Sequence, residues 1–156
     1  MKNYRIDFKD SSFNEDTGHS HVIVSLMNNK NHIKDFSGDA YVHPKDNDFA
    51  STFSGCRIAE GRATIKALNF IYKTEREKYI EVRNYYNDLN NYKKVQENLD
   101  IQEILFKQLQ IRKDALQEVK DNLERAGEHL RTEIITLNKH IEKRRDDSYF
   151  KNKQSN

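Results

Sequence analysis

Apolar and aromatic residues recur at gaps of three and four through the middle of the chain, at Ile65, Leu68 and Tyr72, then Tyr79, Val82, Tyr86 and Leu89. Glu75 is the one polar interruption. This spacing predicts the a/d seam of a coiled coil, narrower than the stripe of a globular helix. A second seam is predicted at Leu105, Leu109, Arg112, Leu116, Val119, Leu123, Ala126, Leu130, Ile134, Leu137 and Ile141. Its two consecutive gaps of four, Ala126 to Leu130 to Ile134, read as a stutter. From Arg57 to Arg145 there is no Pro and only Gly61 and Gly127, and good helix formers dominate. Between the seams, Asn84, Asn87, Asn90, Asn91 and Asn98 weaken the helix, and Asp100 with Glu103 resembles a capping box that restarts it. The expectation is an antiparallel helical hairpin; the rival is one continuous helix in a parallel dimer.

The first third of the chain follows a different period. Tyr4 to Phe8 alternates apolar and polar residues, as does His19 to Met27, where Val22, Val24 and Leu26 share a face. A third strand is expected from Ile33 to Val42, ended by Pro44. Turns are expected at Asn14–Gly18 and at Asn28-Asn29-Lys30-Asn31. Gly38 inside the third strand implies a bulge or a close neighbour. Three strands need a cover. The start of the following helix offers one, with Gly55, Ala59, Gly61 and Ala63 allowing close approach and Phe49 and Phe53 plugging the junction. Ser51 or Ser54 is the expected cap. The fold class is therefore α+β, a three-stranded antiparallel sheet packed on the start of a long helical hairpin. The expected divisions are a β-meander head at 1–56, the hairpin at 57–146 and a frayed tail at 147–156.

Composition agrees with elongated helices. Hydrophobic residues make up 35% and charged residues 33%, and mean hydropathy is −1.01. The 27 basic and 25 acidic residues are interleaved, giving a net charge of +2, and no segregated basic face argues for nucleic acid. A single cysteine, Cys56, rules out an intrachain disulfide and suggests a reducing compartment. No signal-like or membrane-spanning run is seen, so the expectation is a cytoplasmic protein.

Candidate chemistry is thin. His19 and His21 share a strand face, with His43, Cys56 and Glu60 nearby in sequence, but no CxxC or HxxxH spacing accompanies them. Exposed strand histidines and a small buried cysteine are the expected reading, with no metal and no cofactor. A Cys56–His43 nucleophile lacks an orienting third group, so no catalytic residue is expected. Arg57, Glu60, Arg62 and Lys66 cluster in the first turns of the helix, either as surface ion pairs or as a partner contact. Tyr72, Tyr79 and Tyr86 lie in the seam, and Tyr85 and Tyr92 form a neighbouring row. Tyrosine is bulky for a seam and frequent in protein-binding surfaces.

The block Phe36-Ser37-Gly38-Asp39-Ala40, then His43-Pro44-Lys45-Asp46, then Phe53 to Lys66 resembles a group of small uncharacterised proteins from phages and prophages of Gram-positive bacteria. The likeness covers about the first half of the chain and brings no catalytic residues. It implies a phage accessory protein made in the host cytoplasm, a setting in which such proteins often disable host defence machinery, CRISPR effectors among them. The expected function is thus a non-catalytic, anti-CRISPR-like inhibitor that binds a host protein such as a defence effector. Its expected contacts are Arg57, Glu60, Arg62, Lys66, Tyr79, Tyr85, Tyr86 and Tyr92, and a homo-oligomer is expected. The alternatives are an oligomeric sponge that sequesters a signalling nucleotide on Arg57, Arg62 and Lys66, and a structural coiled-coil assembly protein.

Overall fold

The computed structural model describes residues 3–42, 52–91 and 99–154. Three strands, β1 (Tyr4–Asn14), β2 (His19–Asn28) and β3 (Asn31–Tyr41), form one antiparallel sheet in the order β1-β2-β3. Two helices follow, α1 (Thr52–Asn91) and α2 (Leu99–Gln154). The hairpin turns fall where turn-formers were expected, with Gly18 (φ 62°) and Asn29 (φ 55°) in the left-handed conformation. β1 is longer than its alternating stretch, because the register shifts between Phe8 and Asp10 and pairing then continues to Asn14. Ile6 packs on the core, whereas Phe8, expected to share its face, is exposed beside the bulge.

The chain packs as two compact units. One joins the sheet and α1 as far as Ala67 with α2 from Glu124 onward; the other is Leu68–Leu123. In the sheet unit, alternation puts Ser20, Val22, Val24 and Leu26 of β2 on a fully buried face. Ile58, Ala59 and Ala63 of α1 lie against this core, at most 5% exposed. Gly38 has a close neighbour and no bulge: a Cβ there would overlap the Ala59 carbonyl oxygen and lie 2.6 Å from the Ala63 nitrogen. Gly55 is held as closely against Ser20. Gly61 faces elsewhere, toward Leu130 of α2. Leu130, Ile134 and Leu137 complete the core from α2, so the helix after the stutter keeps its apolar face on the sheet unit.

Some expectations shift. Phe53 is 69% exposed on the first turn of α1, with the Arg57 guanidinium over its ring, and plugs nothing. Helix begins at Thr52, which puts Ser54 inside it; Phe49 and Ser51 lie outside the described residues. α2 continues through the expected tail to Gln154, since no Gly or Pro interrupts the chain after Gly127.

In each unit the helices run antiparallel within one chain. In the sheet unit Arg57 pairs with Glu133 and Gly61 faces Leu130. In the Leu68–Leu123 unit Glu75 pairs with Arg112, at 3.3 Å. Leu68, Ile71, Leu105 and Val119 are buried there, and Tyr72, Tyr79, Val82, Tyr86, Leu109 and Leu116 half-buried. The acidic interruption of one seam therefore meets the basic residue of the other. Glu75 is only 5% exposed and also accepts a hydrogen bond from Lys78 at 2.7 Å. A polar pair at one seam position favours one register, because sliding either helix would take Arg112 away from a buried carboxylate.

Candidate functional site

Three places hold the chemistry, and the structure treats them differently. The Arg57–Lys66 cluster is largely occupied with holding the fold together. The Arg62 guanidinium donates to the Asp39 carbonyl, and Lys66 Nζ donates to the Ser37 carbonyl at 2.7 Å. Both carbonyls lie on the outer edge of β3, whose groups would otherwise invite another strand. Arg57 is paired across to Glu133. The ion pairs expected along α1 itself are thus replaced by contacts with neighbouring elements. Glu60 is exposed on the same helix.

The tyrosines part company. Tyr79 and Tyr86 stay in the seam and line a pocket of about 280 Å³ in the Leu68–Leu123 unit. Phe106 and Leu109 face them from α2, Arg83 and Lys113 add cations, and Asn87 and Gln110 add amides. Among the described residues no carboxylate lines this pocket. Tyr85 lies apart and is exposed, and Tyr92 is outside the described residues. Phe106 is 60% exposed and Ile111 65% exposed on α2 of the same unit. Arg83 could have been found from sequence, since it sits one turn after Tyr79. Phe106 and Lys113 could not, because they join the pocket only through the pairing of two helices.

The third place is the outer face of the sheet. His19 Nε2 lies 3.0 Å and His21 Nδ1 2.7 Å from the same Asp39 oxygen, Oδ1. Asp39 is the direct cross-strand partner of His21. Hydrogen bonds from His21 and then His19 hold the Asp39 carboxyl below the usual aspartate range. The Tyr41 ring stacks on His19, centroids 4.3 Å apart and 5° from parallel. Neither Cys56, which packs on the core, nor Glu60 joins them, and His43 is outside the described residues. At the other end of the face, Asp35 accepts hydrogen bonds from Lys9, His32 and Ser25. These three hold its carboxyl far below the usual range.

No family model matches the chain, and no curated protein or solved structure does so either. Among the described residues no helix is long and apolar enough to cross a membrane.

Proposed function

We propose that the protein is a non-catalytic binding protein that docks on another protein through the Leu68–Leu123 unit. The observation that carries this reading is the pocket of Tyr79, Tyr86 and Phe106 flanked by Arg83 and Lys113. Rigid aromatic surface beside a cation is what interface anchors are made of. Its chemistry suits a partner segment with an apolar side chain next to a carboxylate. The exposed apolar residues Phe106 and Ile111 on the same unit support the same reading. In the phage setting that the sequence resemblance implies, the partner is a host or anti-phage defence protein, and binding disables it. The nucleotide-sponge alternative is weakened because Arg57, Arg62 and Lys66 are already engaged within the fold.

The test is capture of partners from host lysate by the tagged full chain, compared with Phe106→Ala and Lys113→Glu. Both positions are exposed, so melting temperatures should be unchanged. A single stoichiometric protein, retained by the parent and lost by both variants, is the expected result. Undiminished capture by both variants would remove the pocket as the contact. Thermal stabilisation by nucleotides with no protein captured would revive the sponge.

A further inference from the structure

The outer face of the sheet carries a donor set that the binding function leaves unused. Alternation along β2 puts His19 and His21 on one side of the sheet, and the β2–β3 register puts Asp39 opposite His21 and diagonal to His19. Nε2 of His19, Nδ1 of His21 and a carboxylate oxygen of Asp39 all lie within 4.8 Å of one another. Among the described residues no other group of three His, Cys, Asp or Glu side chains converges in this way.

We propose that His19, His21 and Asp39 form a binding site for a divalent transition-metal ion of the zinc type. Two imidazoles and one carboxylate are ligands that zinc accepts, with bonds of about 2.0–2.2 Å. A tetrahedral ion with such bonds holds its ligand atoms about 3.3 Å apart. The two nitrogens stand 3.0 and 2.7 Å from Asp39 Oδ1, so each must draw back by roughly 0.3–0.6 Å, with the rings turning to share the ion. In the metal-free arrangement a ring N–H on each histidine donates to Asp39. Metal binding moves each ring proton to the nitrogen facing away and turns both inner lone pairs onto the ion.

Two features pre-set the site. Stacking on Tyr41 fixes the plane of the His19 ring. The Arg62 bond to the Asp39 carbonyl ties down the backbone that carries the carboxylate. All three side chains are about one-third exposed, so the ion can enter and the fourth position stays open to water or to a ligand from another molecule. The opposite end of the same face supplies an internal contrast. His32 also meets an aspartate, Asp35, but there the neighbour is the Lys9 ammonium, whose charge repels a cation. Among the described residues only His19 and His21 bring two imidazoles to one carboxylate, where His32 shares its aspartate with a lysine.

The experiment is calorimetric titration of zinc chloride into chelator-stripped full-length protein, with cobalt(II) as a spectroscopic probe. One zinc per chain is expected, along with the visible ligand-field bands of four-coordinate cobalt. His21→Gln and Asp39→Asn should each weaken binding tenfold or more and abolish the bands, while His32→Gln leaves both unchanged. Circular dichroism checks that Asp39→Asn is folded; if it is not, His21→Gln decides alone, since its side chain is partly exposed on the sheet face. No binding by the parent, or equal binding by the parent and His21→Gln, would overturn the site.

Discussion

The two compact units solve the same problem, closing two antiparallel helices, with opposite materials. The sheet unit is tight inside: Gly38, Ala59 and Ala63 bring backbone against backbone, and most of its charges stand on the sheet face and the edge of β3, with Arg57–Glu133 joining its helices. The Leu68–Leu123 unit puts phenols and an ion pair into the seam itself, with Tyr72, Tyr79, Glu75, Tyr86 and Arg112 all buried or half-buried. Close packing of small residues specifies one arrangement by shape. A polar seam specifies register by the cost of breaking it, and it leaves room at the rim, which is where the aromatic pocket lies.

The sharpest way to break this contrast is Gly38→Ala. The added methyl would meet backbone on two residues of α1, which cannot rotate away as a side chain can. The expected loss is about 3 kcal/mol or more, a fall in melting temperature of roughly 10 °C. A melting point within a degree or two of the parent would show that the junction is not close-packed.

The second tests the polar seam. Arg112→Leu takes one partner from a residue that is 5% exposed, while Glu75 keeps its pairing with Lys78. Arg112 is itself two-fifths exposed, which softens the penalty, so about 2 kcal/mol is expected in urea titration. Replacing both residues, Glu75→Leu with Arg112→Leu, should recover most of it, because the desolvated charge goes too. If the double variant is worse than the single one, the pair does more than set register.

Much of this fold was legible. Every described position of the two expected seams is buried or half-buried, and the alternation of β2 gave its buried face directly. Both signals are periodic and local. What escaped depends on distant pairing. That Glu75 would find Arg112, that Arg62 and Lys66 would reach across to the β3 edge, and that Asp39 would join His19 and His21 all follow from registers that no single stretch encodes. Phe53 misled because a large aromatic before a helix looks like a plug, yet its place on the first turn faces solvent beside Arg57. The pocket was half legible: α1 announced its tyrosines, and α2 concealed Phe106 among ordinary helix formers.

A gentler test adds to the sheet unit instead of removing from it. Gly127 sits in the interior of α2, and a Cβ there would meet nothing within 4 Å. Gly127→Ala should therefore stabilise by about 0.5–1 kcal/mol, through the entropy that glycine gives the unfolded chain. A raised urea midpoint with an unchanged slope is the expected record. Destabilisation would mean that α2 needs the flexibility of glycine just after the step from Leu123 to Ala126.

The smallest effect belongs to the charges that the sheet unit keeps outside. Asp35 is hydrogen-bonded by Lys9, His32 and Ser25, and its folded carboxyl titrates below the ordinary value of 3.8. A depressed acid contributes stability that is fully present above its unfolded pKa, about 3.9, and is lost as pH falls through the folded value. The parent should hold its stability from neutral pH down to about pH 4 as far as Asp35 is concerned, then lose this contribution in stronger acid. Asp35→Asn should be less stable than the parent at neutral pH, with the difference shrinking below about pH 4. Water and salt screen these pairs, so the gap should also narrow in high salt, whereas the loss in Arg112→Leu should respond less to salt because its carboxylate is buried. Equal salt sensitivity in the two variants would erase the distinction between charges outside one unit and charges inside the other.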